Sequence, residues 1–564
     1  MASHAKTSKL LATFLFFGLL VLTSCEPTDP ADIADEILTN GSIYTADAKH
    51  SVAEALAIKD GRIVAVGTNE VMREWQGAVT KVTDLEQKLV LPGLHDVHVH
   101  PIMGAESSRF AQLTGLFSEE AILTQVAEFA RKHPDATVIR GRGWEMSVFE
   151  DANPHKSLLD AIIPDKPVIL KSWDGHNSWV NSKALEMSGV TAETPDPKNG
   201  RIERDPVTGE PTGTLRETAM RLTYSVLPER GDDADIIDLR LALQLMNELG
   251  ITSMNDAAVS RESLVAYRHL DSLGELTVRT VASLALGNEN PRAVADLIAM
   301  RDEFHGGRLN AYSVKVVTDG VPEARTAAML QPYLIKNGAP DYGILNFPLD
   351  VLTPILDSLD EAGFQIHVHA LGDKAVRVTL DAMEGLDTAN RHQLSHLQVV
   401  HPDDIPRFGK MSILANFQPF WAKPDPLNLR TIIPLVGVER SRQMYPMGSV
   451  ERTGGKIVAG SDWPVSTLNP WHAIQVGVTR KMIEEDSEAW IPEEGLSLAS
   501  MIDAYTRTAA YAMHQEENTG SLEVGKFADL IVLDQNIFEI DPMDIHKTEV
   551  LRTVVEGETV YEQN

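Results

Sequence analysis

Residues able to bind a metal ion stand where apolar, strand-like segments of the chain end. Asp96, His98 and His100 alternate within residues 92–100, so their side chains would share one face of a β-strand. Two imidazoles on one face can take neighbouring coordination positions on one metal ion. Asp96 lies one layer deeper, where a carboxylate is better placed to orient a histidine ligand than to bind the ion. The alternative is that both histidines are buried structural residues.

Four later residues stand at comparable positions. Lys315 is surrounded by β-forming apolar residues, where an amine needs a partner or a lowered pKa unless it reaches solvent at the sheet edge. Three further apolar segments have an ionisable residue at or near their carboxyl end: His369, His396 and Asp462. Each residue alone is a weak signal, since a single histidine is usually structural. Together they predict one ionisable cluster, provided that the segments are strands of one sheet.

The elements that must position this cluster are eight apolar segments separated by helix-like stretches. The predicted strands are residues 89–100, 250–256, 278–286, 312–319, 365–370, 393–397, 413–418 and 456–462. Eight strand–helix alternations predict an α/β fold of the (β/α)8 barrel type, whose reactive groups lie at the carboxyl ends of the strands. The long separation between the first two strands predicts an inserted subdomain, residues 101–249, that covers the barrel mouth as a lid.

Both ends of the chain are rich in short β-prone runs separated by turns. Asp60-Gly61 between two apolar runs is a strong hairpin signal. Residues 37–91 and 515–564 share this texture, which predicts one composite β-sandwich assembled from both termini. The barrel, with its insertion, would then occupy residues 92–514.

Composition and charge limit the classes of function. The chain has 564 residues, with 50 Lys and Arg against 81 Asp and Glu and a formal net charge of −31. This acidity argues against binding to nucleic acid, because phosphate contacts need concentrated Lys and Arg. A single cysteine excludes a disulfide framework and a cysteine-cluster zinc site. The expected partner is a small molecule, and a homodimer is left open.

The single cysteine, Cys25, follows a segment that has the pattern of an N-terminal targeting signal. Two lysines precede an apolar run at residues 10–22 that is short for a membrane span. Leu22-Thr-Ser-Cys25 resembles the processing site of bacterial lipoproteins, in which the cysteine is lipidated. We therefore expect a signal peptide at residues 1–24, a tether at 25–36 and a lipid-anchored protein of the bacterial cell envelope. An ordinary cleaved signal and an uncleaved anchor are the alternatives.

The order of the motifs resembles the amidohydrolase superfamily of metal-dependent hydrolases, and within it the YtcJ-like branch, amidohydrolase type 3. That branch includes N-substituted formamide deformylase-like proteins. The resemblance extends from residue 37 to the end of the chain. It is carried by Gly-x-x-Asp-x-His-x-His at 93–100, by Gly141-Arg-Gly-Trp144, and by segments 174–185, 211–217, 315–320, 369–373, 395–396 and 460–462.

The resemblance implies a site with one or two divalent metal ions. The ligands that it implies are His98, His100 and Asp462 for a first ion, His369 and His396 for a second, and a carboxylated Lys315 as the bridge. Zinc is the expected metal, with manganese and iron as alternatives. A single-metal enzyme with unmodified Lys315 is a further alternative. His367 faces the same way as His369 and is expected to support a ligand, whereas His392 and His401 are expected at the surface.

Hydrolysis of a non-peptide C–N bond, of the amide or formamide type, is the reaction that the resemblance implies. Metal-activated hydroxide would attack the carbonyl while Asp462 acts as general base and then as general acid, and His176 would help to stabilise the oxygen anion. Candidate substrate contacts are Trp144, Asp174, Trp179, Asn181 and Arg325. A metallo-esterase or lactonase using the same site, and a noncatalytic envelope lipoprotein, are the alternatives.

The segment between the first two barrel strands also holds aromatic and cationic side chains whose role is open. Trp144, Trp173 and Trp179 suggest an apolar lid that excludes water, with a packed subdomain core as the alternative. Four arginines are candidates for gripping an anionic group of a substrate, and each could equally form an internal ion pair. They are Arg140, Arg142, Arg216 and Arg325.

Overall fold

A computed structural model describes residues 33–228, 231, 233–286, 294–335, 339–484 and 487–563. The predicted signal peptide, Cys25 and most of the tether lie outside the described residues. Among the residues that are described, no helix combines the length and the apolar character needed to span a bilayer.

The centre of the molecule is a barrel of eight parallel strands. They are β1 (Leu94–Val99), β2 (Ile251–Val259), β3 (Arg279–Ala285), β4 (Leu309–Val317), β5 (Gln365–Ala370), β6 (Gln393–His396), β7 (Leu414–Phe417) and β8 (Ile457–Ala459). Each strand pairs in parallel with the next one along the chain. The seam between β8 and β1 is joined just beyond the strands, where Asp462 N donates to His98 O at 2.7 Å and His100 N donates to Trp463 O at 2.8 Å. The predicted (β/α)8 barrel is confirmed.

Most predicted strand bounds differ from the observed ones by a few residues, and two of these differences have a clear steric cause. Residues 89–100 form two strands, because at Gly93 the chain leaves the terminal sheet and enters the barrel; a Cβ there would lie 2.3 Å from Thr252 Oγ1. β8 ends at Ala459, before Asp462. Gly460 packs against β1, where a Cβ would lie 2.5 Å from His98 N, and the chain turns into the cavity from there.

Helices cover the outside of the barrel and fill the insertion. The α-helices are Pro101–Ser107, Glu119–Lys132, Lys156–Ile162, Ser182–Ser188, Ala234–Glu248, Arg261–Ser272, Val294–Glu303, Leu349–Glu361, Asp373–Ala382, Ile405–Met411, Ile433–Val436, Val438–Ser441, Met447–Arg452, Pro470–Thr479, Leu498–Tyr505 and Arg507–Ala512. Arg261–Ser272 shows why these segments are helical. The Ser260 side chain caps it by accepting from Ser263 N, and Leu264, Tyr267 and Leu270 recur on the face that packs into the core.

The residues between β1 and β2 form a separate sheet with its own core. Its strands are Ala111–Gln112, Ile139–Trp144, Val168–Ser172, Asn177–Val180, Gly200–Arg204 and Pro211–Glu217. Trp144, Trp179 and Leu170 are fully buried in one hydrophobic cluster between this sheet and its helices. The predicted inserted subdomain is therefore present, and its loop at residues 173–176 lies at the barrel mouth.

The two chain ends build one β-sandwich. One sheet comprises Glu36–Thr39, Ala55–Lys59, Arg62–Gly67 and Lys81–Asp84, and the other comprises Ser42–Tyr44, Val52–Ala53, Leu89–Pro92, Leu530–Leu533, Val550–Val555 and Glu558–Glu562. Leu38, Leu530 and Val554 lie in one core between them. Arg552 donates to both carboxylate oxygens of Glu36, at 2.8 and 2.9 Å. This pair, formed by residues more than five hundred positions apart, ties the two termini together.

Candidate active site

A cavity of about 230 Å³ opens at the carboxyl ends of the barrel strands. The barrel contributes His98, His100, Lys315, His369, His396 and Asp462 to its lining. The inserted segment contributes Arg142, Lys171, Trp173, Asp174 and His176. All six residues of the predicted metal set thus meet in one cavity, because strands of a closed parallel barrel end on the same side.

Three of these residues form a compact donor set. The ligand atoms of His98, His100 and Asp462 all lie within 4.8 Å of one another. Asp462 Oδ1 is 3.5 Å from His98 Nε2 and 3.2 Å from His100 Nε2. The seam hydrogen bond from Asp462 N to His98 O holds the carboxylate beside the two imidazoles. Imidazole nitrogen and carboxylate oxygen at this spacing fit a divalent ion such as zinc.

Two more histidines face the same space. The rings of His369 and His396 have centroids 4.6 Å apart, and those of His98 and His396 are 4.7 Å apart. His369 Nε2 is buried and has no hydrogen-bond partner among the described residues. Burial is the main cause that lowers the pKa of both imidazoles well below the usual value, so both are neutral and keep a lone pair to donate. A buried nitrogen of this kind suits a metal ligand.

Lys315 lies next to His98 in the cavity. Its Nζ is 3.1 Å from His98 Nε2, and the side chain is buried. Burial lowers the pKa of the Lys315 amine to about 7, although Asp462 and Asp256 attract the charged form. A substantial fraction of the amine is therefore uncharged at neutral pH.

Side chains below the donor set fix its orientation. His367 Nε2 lies 3.0 Å from His98 Nδ1, and Ser395 Oγ lies 3.0 Å from the same nitrogen. The structure thus places His367 against His98, and its supporting role remains a prediction. Asp96 acts on the backbone instead of an imidazole, because it accepts from His98 N at 3.2 Å and from Ser461 N at 3.0 Å. It links the ends of β1 and β8 at the seam.

His176 reaches the cavity from the inserted sheet. Its Nδ1 lies 2.9 Å from Glu217 Oε2, and its ring centroid is 5.5 Å from that of His369. Burial disfavours the charged imidazole, but the charge and hydrogen bond of Glu217 outweigh it and raise the pKa of His176 to about 10. His176 is therefore a protonated hydrogen-bond donor that lies across the cavity from neutral histidines.

The structure places three candidate substrate residues in the core of the insertion and not at the cavity. Trp144 and Trp179 are fully buried, and their indole N–H groups donate to Leu170 O and His155 O. The Asn181 side chain caps the helix Ser182–Ser188 by accepting from Ala184 N. The two tryptophans pack in this core and the asparagine caps a helix, so none of the three is available to a substrate. For Trp144 and Trp179, the alternative of a packed subdomain core is therefore the correct one.

The remaining candidates divide between cavity and surface. Asp174 and Trp173 line the cavity, where Trp173 packs near Trp421 with ring centroids 5.9 Å apart. Arg325 lies 4.0 Å from Asp341 in a loop. The prediction that His392 is a surface residue is wrong, since it is buried beside Asp360 at 3.0 Å.

Sequence reasoning missed several residues of the site, among them Lys171 and Trp421, which line the cavity. Glu323 and Gln418 show why. Glu323 lines the cavity, and its Oε2 is buried without a partner in the described part of the chain. Burial and the nearby Asp174 raise its pKa to about 8. Gln418 Oε1 lies 2.7 Å from His396 Nδ1. Gln418 ends a predicted strand, which was a usable signal, whereas Glu323 stands in an irregular loop with no local pattern to mark it.

The sequence profile of the Amidohydrolase family matches residues 81–561, and the chain belongs to this family. Within it, the protein is YtcJ-like: it is 29% identical over 534 residues to the putative amidohydrolase YtcJ of Bacillus subtilis, covering 93% of this chain and 99% of the relative. It is also 27% identical over 552 residues to N-substituted formamide deformylase of Arthrobacter pascens, covering 94% and 98%.

A solved structure supports the same conclusion. An uncharacterized metal-dependent hydrolase from Pyrococcus horikoshii superposes with a TM-score of 0.71 at 25% identity, covering 90% of this chain and 99% of the other. Family, fold and donor set agree. The protein is therefore an enzyme, a metal-dependent amidohydrolase, and so a hydrolase that acts on carbon–nitrogen bonds.

Proposed function

We propose that the protein hydrolyses a non-peptide amide or formamide bond of a small molecule. The observation that carries this proposal is the convergence of His98, His100 and Asp462 within 4.8 Å at a cavity of about 230 Å³. A cavity of this volume suits a small molecule better than a folded polypeptide. The likeness to N-substituted formamide deformylase over nearly the whole chain supports the formamide type.

The donor set suggests how metal would be held. His98, His100 and Asp462 would bind a first divalent ion, preferably zinc, while His369 and His396 would bind a second and Lys315, once carboxylated, would bridge them. When bound, such ions lower the pKa of water to about 7 and polarise the substrate carbonyl. Carboxylation needs the uncharged amine, which attacks carbon dioxide to give a carbamate and one proton. The lowered pKa of Lys315 supplies that form at neutral pH.

The protein's own groups would then move protons and balance charge. The Asp462 carboxylate would accept the proton of the attacking water and return it to the departing nitrogen. His176, held protonated by Glu217, would donate a hydrogen bond to the substrate carbonyl oxygen as negative charge grows on it. Trp173 and Trp421, which line the cavity, would exclude bulk water and strengthen both interactions.

Replacing Glu217 with glutamine tests the role given to His176. The amide oxygen can still accept from Nδ1, but the charge that keeps His176 protonated is lost. We expect kcat to fall by about 10- to 100-fold, with a small change in KM, because the lost interaction acts on the developing charge. Steady-state kinetics on an N-formyl amine would measure this. Thr326→Val removes a different contact of Glu217 and serves as the control; an equal fall in both variants would contradict the assignment.

Parallel assays test the reaction itself. Metal-loaded protein should hydrolyse N-formyl or N-acyl amines, measured by release of free amine. Turnover of aryl esters with no turnover of any amide would overturn the proposal in favour of a metallo-esterase, since the same activated water attacks both.

We also propose that the protein is anchored in the bacterial cell envelope through a lipid on Cys25. The support is the sequence alone: an apolar run at residues 10–22 ends in Leu22-Thr-Ser-Cys25. Cys25→Ala should move the protein from the membrane fraction to the soluble fraction of the envelope. Cell fractionation with immunodetection measures this. An unchanged distribution would exclude the lipid anchor.

A further inference from the structure

One wall of the cavity carries two cations that lie side by side. Arg142 and Lys171 are directly opposite each other on neighbouring parallel strands of the inserted sheet, and both line the cavity. Within the described part of the chain, neither makes an ion pair with a carboxylate inside 4.0 Å. Like charges placed directly opposite on a sheet destabilise it, so this arrangement calls for an anion.

Ion pairs distinguish the four arginines that the sequence analysis considered. Arg140 pairs with Glu106 at 2.8 Å, Arg216 pairs with Glu203, and Arg325 approaches Asp341 at 4.0 Å. Arg142 is the exception among these four. Only its Nε has a protein partner among the described residues, Pro464 O at 3.1 Å, and its Nη2 is buried without any.

The guanidinium of Arg142 is thus fixed through Nε, while its Nη2 group has no acceptor among the described residues. The hydrogen bond from Nε to Pro464 O fixes its position, while the side chain is only 5% exposed. Space remains next to Nη2, since even a Cβ added at Gly175 would stay 3.9 Å away. A buried donor with no acceptor is costly unless a ligand supplies the acceptor.

The electrostatics of this wall agree with the geometry. Burial is the main cause that lowers the pKa of Lys171 to about 8, Arg142 and Arg140 lower it further, and Glu106 only partly opposes the shift. Burial likewise lowers the pKa of Arg142 to about 10, although Asp462 and Asp174 attract its charge from a distance. The cavity therefore destabilises the charged form of both side chains, and a bound anion would stabilise that form again.

We propose that Arg142 and Lys171 form a subsite for a carboxylate of the substrate. This inference rests on the proposed function and names its substrate class: amides of the formamide type that carry a carboxylate near the scissile C–N bond. Nearness follows from the anchor, because Pro464 lies two residues after Asp462 and both cations share the cavity with the donor set. A carboxylate fits better than a phosphate dianion, since Asp174, Asp425 and Asp462 line the same cavity and would repel a second negative charge.

A matched pair of formamides tests the subsite. N-formylphenylalaninate and N-formyl-2-phenylethylamine differ only in the carboxylate, and both carry the same aromatic ring. In metal-loaded full-length protein, Arg142→Met should lower kcat/KM for the carboxylate by about 30-fold and for the uncharged amine derivative by less than about 3-fold. Arg142→Lys should fall between, because it keeps the charge and loses the planar fork.

The control is Arg140→Met, which changes an arginine on the same strand that already has a partner. We expect it to leave the ratio of the two kcat/KM values unchanged. Thermal melting of each variant reports whether the fold is retained, and Arg142→Lys decides the question if Arg142→Met melts early. Equal losses on both formamides in the Arg142 variants would overturn the subsite.

Failure of the proposed function gives a different result. If wild-type protein hydrolyses neither formamide, the proposed reaction fails, and the Kd of each formamide can then be measured directly by calorimetry. The carboxylate should bind more tightly than the uncharged compound to the wild-type protein, and Arg142→Met should abolish the difference. No difference in the wild-type protein would overturn the subsite as well.

Discussion

Replacing Asp462 with asparagine is expected to lower kcat by about 1,000-fold or more while the protein stays folded. The substitution keeps the shape of the side chain and the backbone hydrogen bond from residue 462 to His98 O. It removes the charge that faces His98 and His100 and the oxygen that would accept a proton from water. General acid–base catalysis of this kind contributes about 100- to 10,000-fold, and loss of a metal ligand adds to it.

Three measurements on Asp462→Asn give the result its meaning. Steady-state turnover of an N-formyl amine gives kcat, thermal melting reports the fold, and elemental analysis gives metal per chain. Asp341→Asn, which changes a partly exposed carboxylate in a loop, is the matched control and should retain activity. Turnover close to the wild-type rate in Asp462→Asn would remove this residue from the reaction.

The barrel could be predicted because its signal is periodic and repeated. Apolar runs followed by helix-like stretches recur eight times, and the strand 365–370 is found with the predicted bounds. Junctions are harder, because they depend on contacts between distant segments. The break at Gly93 exists because the backbone passes close to Thr252, which is far away in the sequence. Local sequence patterns carry no record of such an approach.

The residues of the site also differ in how far local sequence patterns could predict them. Residues on barrel strands, such as His98 and Lys315, could be found because a strand end in a closed barrel has a known location. Residues of the insertion could not be sorted, because burial there depends on a sheet whose topology was unknown. Trp144 proves to be core and Trp173 proves to line the cavity, although the two are of the same type. The missing partner of Arg142 is likewise visible only in three dimensions.

Replacing Lys315 with alanine is expected to reduce metal content and to lower kcat/KM by more than about 100-fold. Loss of a residue that only supports a metal ligand costs about 10- to 100-fold, so loss of a bridging ligand should cost more. In the proposed mechanism, the amine that lies 3.1 Å from His98 Nε2 would act as a bridging carboxylate only once it is carboxylated. Wild-type protein should therefore carry the mass of one added carboxyl group on Lys315, and added acetate should partly restore the alanine variant.

Lys315→Arg distinguishes a bridging carboxylate from a cation that merely fills space. Arginine keeps the positive charge and similar bulk but cannot be carboxylated, because its guanidinium stays protonated at neutral pH. If Lys315 acts as a carboxylate, Lys315→Arg should lose metal and activity as severely as Lys315→Ala, and acetate should not rescue it because no space is left. Two ions per chain with full activity in Lys315→Arg would exclude the bridge. Such a result would leave a site in which His98, His100 and Asp462 bind metal without help from Lys315.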